Sequence, residues 1–140
     1  MERRVELKRS ILLFMVVMYL LLSSCSDTSF RQVGYFKDGA RNRIFTIAYK
    51  MDTPRSEIRA HAEKLMYTHG QLMASYFYPE GSLIPADGVT LARTIHKANE
   101  VLYETPGLSS WRYAFMRYLN GTAEFVDCQE NPGHDLCSKK

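Results

Sequence analysis

The chain is short of the features that usually announce an enzyme. Its 140 residues contain no Gly-x-Ser-x-Gly elbow, no Walker loop, no Gly-x-Gly-x-x-Gly turn and no His-Glu-x-x-His helix. The common local signatures of acyl transfer, phosphate cradling, dinucleotide binding and zinc hydrolysis are therefore missing. Internal repeats and low-complexity tracts are missing as well, and no composition shift marks a second domain after Phe30. A length of this order suits one domain.

Net charge is also scarce. The formal value is +3, but Arg3, Arg4, Lys8 and Arg9 against Glu2 and Glu6 account for two of those charges before Ile11. From Cys25 onward there are 14 basic and 13 acidic residues. A body so close to neutral argues against a general nucleic-acid binder, which needs basic side chains to displace counterions.

Long apolar runs are limited to one. "ILLFMVVMYLLLSSCSD", Ile11 to Asp27, follows the basic start and carries no charge until its last residue. The run Ile11–Leu22 spans about 18 Å as a helix, against a hydrocarbon core of roughly 30 Å. A permanent single-pass span is thus the weaker alternative, and an export signal the stronger one. Leu22-Ser23-Ser24-Cys25 resembles the lipobox of bacterial lipoprotein precursors, a likeness confined to about the first 27 residues. The resemblance implies a signal peptide over residues 1–24, cleavage after Ser24, and diacylglycerol on the Cys25 thiol. Ser26 in the next position is similar to precursors sorted to the outer membrane. Two or three acyl chains, at about 0.8 kcal/mol per buried methylene, anchor stably where one does not. The implied location is the bacterial cell envelope, lipid-anchored, with the domain facing the periplasm.

Cysteines are few: three in all, and setting Cys25 aside leaves Cys128 and Cys137. They flank the polar loop "QENPGHDL". In an oxidising compartment a disulfide is the expected pairing, contributing about 2–3 kcal/mol through loop closure. A metal site using His134 is the rival, but the further ligand it requires is not evident. No cofactor and no metal are expected.

What remains is a β-rich body with two helical stretches. "FRQVGYF" and "RIFTIAYK", joined through Asp38-Gly39, predict a hairpin. Asp52-Thr53-Pro54 predicts a helix start, with the helix running about Pro54 to His69 and stopping at Gly70. Ile58, Ala62, Leu65 and Met66 would form its buried face. "QLMASYFYP" is apolar on both faces and predicts a central strand. A second helix is expected from about Val89 to Glu104, on the stripe Leu91, Ile95, Ala98 and Leu102. "WRYAFMRYL", Asn120-Gly121 and "TAEFVDC" predict a closing hairpin, with Trp111, Tyr113 and Phe115 on one face. The order ββαβαββ predicts a small α+β domain over 30–140, a mainly antiparallel five-stranded sheet with both helices on one face, reached by a tether over 25–29.

Four histidines give little. His61 and His69 are two helical turns apart, wider than the usual four-residue metal spacing. His96 has Glu100 four residues on, a helical pair at most. Glu57, Glu63, Glu80 and Glu124 read as solvated positions. The stronger binding candidates are aromatic residues next to a turn-rich loop or beside arginine: Tyr76, Tyr78, Trp111, Arg112, Arg117 and Tyr118. The plainer alternative makes the aromatics core and the arginines the solvated strand face. The leading expectation is a non-catalytic envelope interaction module contacting another envelope protein, through an uncovered sheet face or the loop Pro79–Gly88. By analogy it would be a secretion- or conjugation-machine subunit or an exclusion factor. A periplasmic enzyme or small-ligand carrier with a pocket between helices and sheet is the alternative.

Overall fold

The computed structural model describes residues 29–137. The expected signal peptide over 1–24 and the expected lipidation site Cys25 therefore lie outside the described residues, and of the expected tether over 25–29 only Ser29 lies within them. In chain order the elements are β1 (Phe30–Lys37), β2 (Arg43–Tyr49), α1 (Arg55–Lys64), β3 (Met73–Pro79), α2 (Asp87–Thr90), α3 (Ile95–Glu104), β4 (Tyr113–Arg117) and β5 (Ala123–Asp127). The strands form one sheet in the order β1-β2-β3-β4-β5. Every neighbouring pair is antiparallel except β2 and β3, which run parallel. The class is α+β with a mainly antiparallel five-stranded sheet, as expected, and a third, short helix is added.

The parallel pair has a topological cost. A chain leaving β2 must cross the sheet to start β3 in the same direction, and α1 makes that crossing. The side chains that α1 buries, Ile58 and Ala62, pack with Phe45, Ile47, Phe77, Tyr113 and Phe115. Those of α2 and α3, namely Val89, Ala98 and Leu102, pack with Ile44, Ala74, Tyr76, Ala114 and Val126. Alternation along the strands puts these two sets on opposite sides of the sheet. The expectation of both helices on one face is thus corrected: α1 covers one face, and α2 with α3 the other. Covering on two sides explains why all seven residues of β2 are buried and six of seven in β3.

Both helices are shorter than their sequence patterns suggested. Helix α1 ends at Lys64 because Leu65 is already extended. Gly70, with φ of 77°, serves a turn in which Gln71 N–H donates to Thr68 C=O. A positive φ at the third position of a four-residue turn is the type II requirement. Met66, expected in the core, is 65% exposed. The second helical stretch breaks at Thr94, which is extended and whose hydroxyl accepts from Lys97 N–H at 3.1 Å, a standard N-cap. Leu91 consequently falls outside the buried stripe and is 76% exposed.

Local turn chemistry closes both hairpins. In the first, Asp38 accepts from the backbone and side-chain amides of Asn42, each at 2.8 Å. In the second, Gly121 N–H donates to Tyr118 C=O and Tyr118 N–H to Thr122 C=O, with Gly121 at φ 84° and Asn120 not at positive φ. That is the three-residue hairpin with a glycine bulge, not the two-residue mirror-image turn. Asn120 Oδ1 accepts from the Thr122 amide and hydroxyl, which gives this Asn-Gly-Thr a turn role.

The loop between β3 and α2 folds back over β1 and β2. Thr46 Oγ1 donates to Pro85 C=O at 2.7 Å, and Tyr35 N–H donates to Thr90 Oγ1 at 3.2 Å. Gly34 lies beneath it, where a Cβ would fall 2.5 Å from Thr46 Oγ1 and 2.8 Å from Pro85 O.

Candidate functional site

The six aromatic and arginine candidates do not form one surface. Tyr76 and Tyr78 point from β3 into the core under α2 and α3, with exposures of 2% and 0%. Trp111, 4% exposed, joins them: its ring lies 4.8 Å from Tyr76, 5.1 Å from Tyr103 and 6.1 Å from Tyr78. Regular β4 geometry begins only at Tyr113, so alternation does not carry back to Trp111. It packs in a cluster separate from that of Tyr113 and Phe115, against the expectation of a shared face. As partner-binding residues, Tyr76, Tyr78 and Trp111 are corrected to core. An aromatic with a polar tip can be buried where that tip finds a partner, and each one does. Tyr76 and Tyr103 hydroxyls meet at 2.9 Å, Tyr78 donates to Leu108 C=O at 2.9 Å, and Trp111 Nε1 to Leu136 C=O at 3.0 Å. Burial raises the pKa of Tyr76, Tyr78 and Tyr103.

Arg112, Arg117 and Tyr118 remain at or near the surface, but at the two ends of β4. Arg112 stacks over the Tyr113 ring at 5.1 Å and approaches the buried carboxylate of Asp127 at 3.6 Å. Asp127 in turn accepts from Gln129 N–H through Oδ1 at 2.9 Å, which starts the disulfide loop. Nearby, Tyr49 is pushed up to about 12, first by desolvation and then by Tyr113. Tyr118, 37% exposed, donates to Glu124 Oε2 at 2.8 Å.

Cys128 and Cys137 are joined, with Cα atoms 5.4 Å apart. The loop they close is a working part of the core, which the polar sequence did not advertise. Leu136 is buried and caps the Trp111 cluster. His134 lies between the cysteines in sequence and uses both ring nitrogens within the fold: its Nδ1 accepts from Leu136 N–H, which leaves the proton on Nε2 to donate to Glu124 Oε1 at 2.8 Å. Glu124, read as a solvated position, thereby links the closing hairpin to the disulfide loop. No local pattern marks it, because its partner His134 lies ten residues on, in the disulfide loop.

The other histidines stay apart. His61 stacks on Phe30 at 4.1 Å and meets the edge of Phe77. Desolvation first, and Lys64 second, lower its pKa. His69 is beyond the end of α1. Glu100 pairs with Lys97 at 2.5 Å, not with His96. Among the described residues no group of three or more His, Cys, Asp or Glu side chains is placed to hold a metal ion. None of these residues belongs to a helix long and apolar enough to cross a membrane.

An open groove with a volume of about 650 Å³ lies between Pro79, Ser109, Ser110 and the disulfide loop. Arg112 and Gln129 supply its polar rim, and Trp111 and Cys137 its floor. It shares one end of the sheet with Ser29, whose carbonyl accepts from Lys50 N–H at 3.1 Å and so ties the incoming chain to the end of β2. Compared with known proteins, the chain matches no protein-family model, no curated protein and no solved structure.

Proposed function

We propose that this chain is a lipid-anchored envelope protein whose α+β domain is a non-catalytic interaction module contacting another envelope protein. The observation that carries the reading is the lipobox-like Leu22-Ser23-Ser24-Cys25 placed four residues before Ser29. Four residues extend at most about 14 Å, so lipid on Cys25 would hold the Ser29 end of the sheet close to the bilayer. The uncovered sheet face expected as a contact surface is withdrawn, because helices cover both sides. The loop Pro79–Gly88 remains, with Leu83 69% exposed at its tip.

Intact mass and membrane fractionation test the anchor. Mature protein should begin at Cys25 and carry acyl mass, and Cys25→Ser should leave an uncleaved, unacylated precursor. Unchanged mass and attachment in that variant would establish the single-pass alternative instead. Crosslinking and capture from envelopes tests the module: one stoichiometric envelope partner supports it. The groove beside the disulfide favours a second reading, a small-ligand carrier. A reproducible bound small molecule without a protein partner would decide for that reading.

A further inference from the structure

Across the end of the sheet farthest from Ser29 runs a row of cations. The register pairs Lys37 with Arg43, Arg43 with Met73, and Met73 with Arg117, which puts all four side chains on the α1 face. With strands about 4.8 Å apart, the Arg43 and Arg117 backbones lie roughly 10 Å from each other. Arg41 is exposed just before the row.

Among the described residues these cations form no ion pair. Arg43 is only 5% exposed, yet its guanidinium donates to neutral oxygens alone: Tyr35 Oη at 3.2 Å, Arg41 C=O at 3.3 Å and Thr68 Oγ1 at 2.7 Å. Arg117 lies over the rings of Tyr67, at 4.9 Å, and Phe115, at 5.7 Å. Arg117 Nε and Tyr67 Oη are both buried donors without a partner. Asp38, next to Lys37 in sequence, accepts from Asn42 through both oxygens. Among the described residues no ion pair includes Lys37, Arg41, Arg43 or Arg117. Burying a cation and orphaning two donors is costly unless something anionic completes the set.

We propose that this end of the sheet binds a phosphate group, with Arg117 as its direct ligand, Tyr67 Oη as a further donor and Arg43 supplying charge from behind. A tetrahedral phosphate offers several acceptor oxygens to donors arriving from different strands, and a planar guanidinium recognises two of them at once. The phosphate is either free or carried on a lipid headgroup. The site lies about 20 Å along β2 from the Ser29 end, and it does not depend on the anchor proposed above.

The test titrates the full-length protein in detergent with sodium phosphate, balanced for ionic strength with sodium chloride. Phosphate should raise the unfolding temperature saturably, and chloride should not. Arg117→Gln should weaken the apparent affinity about tenfold or more and Tyr67→Phe about threefold, with Arg117→Lys intermediate. If Arg43→Gln fails to fold, the Arg117 and Tyr67 variants decide, their folding checked by near-ultraviolet circular dichroism. A response that does not saturate up to about 50 mM, or an undiminished one in folded Arg117→Gln, would overturn the proposal. Vesicles of phosphatidylglycerol, against phosphatidylcholine, locate the source using the Cys25→Ser form. Arg117-dependent binding to the former assigns a headgroup, and its absence beside a saturable phosphate response assigns a free phosphate. Failure of the site leaves the acyl mass on Cys25 unaffected, so the two readings fail separately.

Discussion

The two ends of the sheet solve the problem of charge in opposite ways. At the Ser29 end, Arg112 faces Asp127, Arg55 meets Glu130 at 2.7 Å, and a disulfide fixes the loop that carries Glu130. At the far end, Arg43 and Arg117 rest on hydroxyls, a carbonyl and aromatic rings, and no carboxylate of the described residues forms an ion pair with them. Paired charges with a crosslink are what a structural end requires. A buried cation held on neutral partners alone, as Arg43 is, adds little net stability, because its hydrogen bonds must offset the desolvation of the charge.

Substitutions at each end should separate these roles, and the largest effect belongs to the structural end. Trp111→Ala removes the centre of the Tyr76–Tyr78–Tyr103 cluster and should cost about 3–5 kcal/mol in urea unfolding. Replacing Cys128 and Cys137 by serine should cost about 3 kcal/mol, most of it recovered by no other contact, and a reductant should do the same to the natural protein. Arg112→Gln leaves Asp127 buried with one backbone partner, at an expected cost of about 1–2 kcal/mol. Its counterpart, Arg117→Gln, should change stability by less than about 0.5 kcal/mol or increase it, since it discards an unpaired charge. A loss as large as that of Arg112→Gln would erase the distinction between the ends.

The smallest expected effect is a pH dependence. His61 has a lowered pKa in the folded chain, so the unfolded chain binds the proton more readily. Stability is therefore complete above about pH 6.5, the unfolded value, and declines as pH falls toward the folded one. His61→Phe keeps the stacking on Phe30 and should flatten that decline in melts between about pH 7 and pH 5. An unchanged slope would move the acid sensitivity to another group.

Much of the fold was legible because it is local. Asn120-Gly121 marks its hairpin whatever the exact turn, and β3, with six of seven residues buried, is apolar on both faces apart from Ser75. Helix ends were less legible, because Gly70 is as good at a loop turn as at a helix exit, and Thr94 caps a helix whose stripe continues on paper through Leu91. Which face each helix covers depends on the parallel pairing of β2 with β3, a long-range fact with no signature at any one position. The same holds for the candidate sites. Tyr76 and Trp111 have the composition of a contact surface, and only their hydroxyl and indole partners reveal a core. The Lys37–Arg43–Arg117 row joins residues from three strands, so it exists only once the register is known.

The segment folded over β1 has a consequence for how copies of the chain meet at high concentration. Thr90 occupies the outward amide of Tyr35, and Pro85 presses on Gly34, so this margin of the sheet offers no clean template for another strand. The opposite margin is different: Cys128 N–H bonds to Arg112 C=O, so alternation turns the backbone groups of Phe125 outward. Strand-to-strand growth needs two receptive margins, and this sheet has one. Such contact can join two copies back to back and then stops, which keeps a β protein from polymerising into fibres.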